Sequence, residues 1–433
     1  MDAVLPPRKR GLPIAPLADP AKRRLPLNTD ATAMDRQVRP TYAVWELTLR
    51  CDLACRHCGS RAGRARPEEL TTEEALDLVD QLADLGVLEV SLIGGEAYLR
   101  DDWVVVARAI RDKKMDVNIV TGGRGFTPER AEQAKSAGIK NISVSVDALE
   151  STHDALRGVK GSFQSALSAL KAAKAAGLAV AANTQIARPA LREIEPLAEL
   201  LADQGIYAWQ VAMTAPMGRA ADEPELILEP YQVLEVLAML ARIHPRLAAR
   251  GIKIWPGNDI GYFGPYDALL RAHMPGGHMA PCGAGRATLG IEADGTIKGC
   301  PSLPTSAYAG GNLRDEKLVD LWERAEPIRF TRGRTEKDLW GYCRTCYYGE
   351  DCLGGCSWTA HTLFGRVGNN PFCHHRALEL LKEGKRERLE LRTPAEGKPF
   401  DHGVFECILE DWPEDERARA EALARTGEGW LRD

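Results

Sequence analysis

The chain has 433 residues, 44% of them hydrophobic and 27% charged, with a formal net charge of -5. That is long enough for two or three domains, and its composition excludes the disordered, collagen-like and coiled-coil classes. No run of 18 apolar residues occurs, and the N-terminal MDAVLPPRKRGLPIAPLADP has neither a signal-peptide apolar core nor a cleavage site, which predicts a cytoplasmic protein with no membrane span. Slight acidity, with no cluster of Lys and Arg beyond the first forty residues, argues against a nucleic-acid partner.

Residues 1–40 carry seven prolines, and Arg8, Lys9, Arg10, Lys22, Arg23, Arg24, Arg36 and Arg39 stand against four acids. This is an extended basic arm, either a solvated tail or a segment that orders on a peptide or acidic partner. From Tyr42 short β-branched runs alternate with amphipathic stretches, the pattern of βα units around a parallel sheet. The expected strands are AVWELTLR from Ala43, LEVSLIG from Leu88, DVNIVTG from Asp116, NISVSVD from Asn141, LAVAANTQI from Leu178 and YAWQVAMT from Tyr207. Between the first two, TTEEALDLVDQLADLG predicts a helix capped by Thr71 or Thr72 and ended by Gly86. Six such units make a partial, TIM-like (β/α)6 barrel over residues 41–227, whose chemistry is expected at the C-terminal ends of the strands. Residues 228–281 read as a helical and loop linker, with an Ala/Leu-rich helix over 228–253 interrupted by Pro245. A cysteine-dense domain is expected over 282–376, and residues 377–433 as a charged tail ending in a surface helix, with Cys407 upstream of it.

Eleven cysteines in a chain without an export signal are the informative count, because short-spaced thiols in a reducing compartment are metal or redox ligands more often than disulfide halves. Cys51, Cys55 and Cys58 form a C-x3-C-x2-C loop directly after the first strand. Three thiolates on one iron-sulfur cubane leave one iron open to a small molecule, whereas a structural zinc site would need a fourth ligand from elsewhere. His57 is poorly placed to be that ligand. This loop resembles the signature of the radical SAM family, with His57 at a position that is usually aromatic. The resemblance implies a [4Fe-4S] cluster whose open iron chelates S-adenosylmethionine (SAM), and reductive cleavage of SAM to methionine and a 5'-deoxyadenosyl radical that abstracts a substrate hydrogen. It also implies that Gly94, Gly95 and Glu96, the GGE ending the second strand, bind the methionine amino group. Taken alone, a strand-to-helix turn explains a GGE equally well. By the same resemblance Ser145, in SVSVDA, and Arg157, in HDALRG, are SAM contacts, Arg157 near the carboxylate. Thr121-Gly122-Gly123 departs from the Thr-Asn-Gly frequent in relatives. Asn183 and Gln185 on the fifth strand are as well suited to buried hydrogen bonding as to ligand contact.

The second group runs Cys282, Gly295, Cys300, then Cys343-x2-Cys346-x5-Cys352-x3-Cys356, and finally Cys373. Seven thiols are too many for one metal and suffice for two clusters. Residues 343–356 alone also suit a zinc ribbon. The order resembles the SPASM extension of radical SAM enzymes, which implies two auxiliary iron-sulfur clusters: Cys343, Cys346, Cys352 and Cys373 on one, Cys282, Cys300 and Cys356 on the other. The latter is one ligand short, so it has an open iron or borrows a ligand, and Cys407 is the one thiol left.

SPASM-type enzymes commonly modify peptides or proteins, and CGAGR at Cys282 and CLGGC at Cys352 look most like maturases of small ribosomal peptides. Pro301 stands where sulfatase maturases usually have an acid. The expected substrate is therefore a ribosomally synthesised peptide, with a stand-alone leader-recognition protein as a further partner, since only about forty residues precede the barrel pattern, and an electron donor such as flavodoxin or ferredoxin. The alternative is a tetrapyrrole or small-molecule substrate; a non-enzymatic electron-transfer module is the third reading. Asp259, Tyr262, Tyr266, His273 and His278 precede the first auxiliary cysteine and suit either a substrate cavity or a surface loop. No catalytic acid or base is assigned.

Overall fold

The structure, a computed structural model, describes residues 38–272 and 281–431. Most of the basic arm, together with His273 and His278, lies outside these. The six expected strands form, as β1 (Tyr42–Thr48), β2 (Glu89–Gly94), β3 (Asp116–Thr121), β4 (Asn141–Ser145), β5 (Ala179–Ile186) and β6 (Ala208–Met213), all paired in parallel with their sequence neighbours. Helices α1 (Thr72–Leu85), α2 (Trp103–Asp112), α3 (Pro128–Ser136), α4 (Glu150–Arg157), α5 (Ser162–Ala175) and α6 (Ile194–Asp203) connect or follow them. Thr71 caps α1 in a reciprocal box with Glu74, and Gly86 closes it in the left-handed conformation, which glycine adopts without steric cost.

Alternation along each strand separates two faces. Trp45, Leu47, Leu92, Ile119, Val144, Trp209 and Val211 are buried in one core with the apolar stripes of the helices. The registers place Val44, Ser91, Asn118, Ser143, Ser145, Asn183, Gln185 and Gln210 on the other face, where Ser143 Oγ donates to Asn183 Oδ1 at 2.8 Å and Asn118 Nδ2 to Glu89 Oε1 at 2.6 Å. Asn183 and Gln185 therefore face away from the helical layer.

The sheet extends beyond six strands. Helix α7 (Val233–Ala249) leads into β7 (Lys253–Pro256), which pairs in parallel with β6 inside the expected linker. At the other edge β8 (Thr288–Ile291) pairs in parallel with β1, followed by antiparallel β9 (Thr296–Lys298) and β10 (Gly311–Asn312). The barrel sheet and the cysteine-rich segment are thus continuous, in the order β10-β9-β8-β1-β2-β3-β4-β5-β6-β7. Helix α7 also corrects the expected break at Pro245, since it runs through that residue. A proline forfeits one helical hydrogen bond, but Ile243 and Leu247 on either side of it are buried and hold the helix to the core.

Past α8 (Leu318–Arg324) and α9 (Ser357–Phe364), helix α10 (His374–Lys382) leads to a segment that is more than a tail. Strands β11 (Lys385–Thr393) and β12 (Val404–Asp411) form an antiparallel hairpin, and α11 (Glu414–Thr426) buries Ala420 and Leu423 in the main core. Among the described residues no helix is long and apolar enough to cross a membrane.

Candidate functional site

The Cys51–Cys58 loop leaves the C-terminal end of β1 and is stitched at its base. Cys51 N–H donates to Gly63 O at 3.0 Å and Gly63 N–H to Leu49 O at 3.0 Å. Within the loop, main-chain donors point at the sulfurs: Leu53 N–H lies 3.4 Å from Cys51 Sγ, and Ala62 N–H 3.3 Å from Cys58 Sγ. The three thiols lie within electrostatic range of one another. Burial pushes the Cys51 thiol up to about 12, with Glu96 and the two other cysteines adding to it. A buried thiol of this kind stays protonated until a cationic metal centre displaces the proton.

The GGE turn is built against this loop. Gly95 N–H donates to Thr48 O and Glu96 N–H to Arg50 O, both at 2.8 Å. A Cβ on Gly94 would strike Thr48 O and one on Gly95 would strike Arg50 O, and Gly94 has φ +144°, so two glycines are required where β2 ends against the cysteine loop. Glu96 is buried; its carboxylate accepts from Gly122 N–H at 2.6 Å and from the Thr121 hydroxyl. Burial raises it to about 7, against the lowering effect of those two donors. The Gly122 departure in TGG is explained here: its main chain serves Glu96, and a Cβ would crowd Leu53 and that carboxylate. Sequence reasoning missed Asp52. Ligand atoms of Cys51, Asp52 and Glu96 lie within 4.8 Å of one another, and Asp52 Oδ1 is buried without a hydrogen-bond partner. Two carboxylates beside a thiol suit a cationic group.

Ser145 is half-buried at the end of β4, opposite Asn183. The Arg157 guanidinium pairs with Asp147 at 2.7 Å and points NH1 at Cys55 Sγ, 3.7 Å away, which sets it beside the cysteine loop.

The later cysteines fall into two sets. Cys300 and Cys356 are each within electrostatic range of Cys282, and Cys282 and Cys300 pack on Ala284, Leu303 and Tyr308. Cys343, Cys346, Cys352 and Cys373 line one cavity with Tyr342 and Arg376, and burial pushes the thiols of Cys343 and Cys373 up to about 11 and 12. Tyr262 lies between the sets: its hydroxyl accepts from Cys356 N–H at 2.8 Å, and its carbonyl accepts from His375 N–H at 3.0 Å and from Cys373 Sγ at 3.7 Å. Asp259 is buried, accepts from Met213 N–H at 2.6 Å, and is raised to about 7 by burial. Tyr266 stacks on His374. Cys407 sits on β12, where its electrostatic neighbours are Glu387, Arg376 and Glu229.

This donor chemistry fits iron-sulfur groups. Its ligand atoms are cysteine thiols gathered in sets of three and four, the number that one cluster with an open iron and one closed cluster use.

Comparisons with known proteins agree. The family model described as the Radical SAM superfamily matches residues 45–201, and SPASM, an iron-sulfur cluster-binding domain, matches residues 282–347. The chain is 28% identical over 355 residues to the AdoMet-dependent heme synthase of Nitratidesulfovibrio vulgaris, covering 77% of this chain and 91% of that protein. It is 30% identical over 320 residues to the mycofactocin maturase MftC of Mycobacterium ulcerans, covering 73% and 83%. The structure of Streptococcus suis SuiB bound to S-adenosylmethionine shares the fold, with a TM-score of 0.60 at 18% identity over 76% of this chain and 77% of that one. The chain is an enzyme of the radical SAM superfamily with a SPASM domain.

Proposed function

We propose that this enzyme is a maturase of a ribosomally synthesised peptide. The observation that supports a peptide is the 30% identity to a protein named as a maturase, extending over 83% of that protein. Cys51, Cys55 and Cys58 would hold the SAM-binding [4Fe-4S] cluster, with Gly94, Gly95, Glu96 and Ser145 around SAM. Cys343, Cys346, Cys352 and Cys373 would hold one auxiliary cluster, and Cys282, Cys300 and Cys356 the other. When bound, these groups supply one-electron chemistry: cleavage of SAM at the barrel loop and uptake of electrons from the substrate at the auxiliary sites.

The chain's own residues prepare that chemistry. Glu96, fixed by Thr121 and Gly122, presents a carboxylate to the SAM ammonium group. The polar sheet face carrying Ser145, Asn183, Gln185 and Gln210 opens toward the same strand ends. Tyr262 braces both auxiliary sets from one buried position. In this reading Cys407, among Glu387, Arg376 and Glu229, is not the missing fourth ligand, and the three-thiol set has an open iron or borrows a ligand other than a thiol. The division into a barrel over 41–227 and an auxiliary module over 282–376 belongs to the same reading, with β7 added to the barrel sheet.

A tetrapyrrole substrate is the second reading, favoured by the 28% identity to a heme synthase over 91% of that protein. Anaerobic reconstitution followed by iron and sulfide analysis, then 5'-deoxyadenosine assay with SAM and dithionite, tests the core. Adding synthetic peptides encoded beside the gene, or an iron porphyrin precursor with propionate groups, separates the two substrates. A mass change in a peptide supports the first reading; turnover of the porphyrin alone overturns it.

A further inference from the structure

Two of the three thiols of the cysteine loop have different electrostatic surroundings. Cys51 faces the carboxylates of Asp52 and Glu96, whereas Cys55 faces a cation. The Arg157 guanidinium is buried, with NH1 directed at Cys55 Sγ at 3.7 Å and NH2 paired with Asp147 Oδ2 at 2.7 Å. Asp147 is fully buried and anchored from several sides. Oδ1 accepts from Gln185 N–H at 3.0 Å, Oδ2 also meets His57 Nε2 at 3.2 Å, and its own N–H donates to His153 Nδ1 at 3.1 Å.

The end of α4 that carries Arg157 is bolted to the same loop through the main chain. Ala54 N–H donates to Arg157 O at 3.2 Å and Arg56 N–H to Leu156 O at 2.8 Å. Gly158, at φ +67°, follows where a Cβ would collide with Ala54 O. A buried ion pair is a costly way to stabilise a fold. Here it fixes a positive charge against one thiol of three, and hydrogen bonds and net charge at the sulfurs are what set an iron-sulfur potential.

We propose that Asp147 and Arg157 form a positioning pair that holds a cation against the sulfur of Cys55 and thereby makes the cluster bound by the barrel loop easier to reduce, with His57 as a second brace on Asp147. The proposal rests on the cluster assignment above and adds a role for a charge that a cysteine loop alone does not require. A cation next to the sulfur favours the electron-rich, reduced form of the cluster.

The test is a potentiometric titration of the reconstituted holoenzyme followed by EPR, reading the one cluster whose signal changes when SAM is added. In Arg157→Gln the reduced-to-oxidised ratio at fixed potential is expected to fall about tenfold, equivalent to about 59 mV for a one-electron couple, and Arg157→Lys is expected to recover most of it. An unchanged potential, with the SAM-dependent signal change now requiring more SAM, would overturn the proposal and make Arg157 a SAM contact. If Arg157→Gln does not hold a cluster, wild-type holoenzyme labelled with 15N-arginine decides the matter. A guanidinium nitrogen coupled to the reduced cluster in pulsed EPR supports the pair, and its absence refutes it. Wild-type enzyme with no SAM-sensitive signal at all would instead refute the cluster assignment.

Discussion

The barrel loop and the auxiliary module solve the same problem, gathering thiols, by different means. Cys51, Cys55 and Cys58 belong to one short loop shaped by main-chain hydrogen bonds and clamped by β2, α4 and their turns. The later cysteines come from segments spread over residues 282–373, and they meet only when β8, β9, α9, α10 and the loop carrying Tyr262 are all in place. A contiguous loop is preorganised for its metal group. A dispersed set exists only in the folded state, so cluster binding there is also folding free energy.

The largest break in that comparison is expected from Cys55→Ala. It should remove about four irons per chain and abolish 5'-deoxyadenosine formation, while the auxiliary clusters stay detectable by EPR. Cys352→Ala should also lose about four irons but keep SAM cleavage within about tenfold, with no modified substrate, and its thermal unfolding should broaden because the dispersed set is part of the fold. Glu96→Gln removes the charge from a hydrogen bond to a cation, an interaction of about 1.5–3 kcal/mol, and SAM affinity measured by EPR titration should fall by about one to two decades.

A smaller effect is expected from acid. Burial, then the nearby His402, pushes His361 down from 6.5 to about 4. The folded state keeps this ring neutral while the unfolded chain takes up a proton below about 6.5, so its contribution to stability is full above that pH and is lost as pH falls toward 4. His361→Gln should flatten the slope of Tm against pH in that window. The smallest effect belongs to Cys407→Ser, expected to leave iron content and all EPR signals unchanged; loss of iron would place Cys407 among the ligands of the three-thiol set.

Legibility in the sequence followed the range of the interactions. The six parallel strands and the Thr71 cap of α1 were readable because period-two burial and a capping box are local. Strands β7 and β8 were not, since KIWP and TLGI are four residues long and pair only through tertiary neighbours. KRERLELRT reads as a solvated charged stretch, yet it forms β11, because its arginines pair with acids such as Glu410, Glu416 and Glu406 from the segment that follows. At the site, the cysteine spacings were plain. The engagement of Arg157 by Asp147 was hidden, because nothing in HDALRG says which carboxylate a folded chain will set beside it.

The hairpin between β11 and β12 has a consequence for the order of assembly. Asp401 at its tip binds Arg61 at 2.8 Å across 340 residues of sequence, Lys398 O accepts from the same arginine at 3.1 Å, and Asp401 O accepts from Gly218 N–H at 2.8 Å. During synthesis the cysteine loop and barrel leave the ribosome long before this brace does. Until the hairpin arrives, Arg61, three residues past Cys58, lacks two of the acceptors that fix it in the finished chain, so the end of the cysteine loop takes its final bracing only when the C-terminal segment is in place.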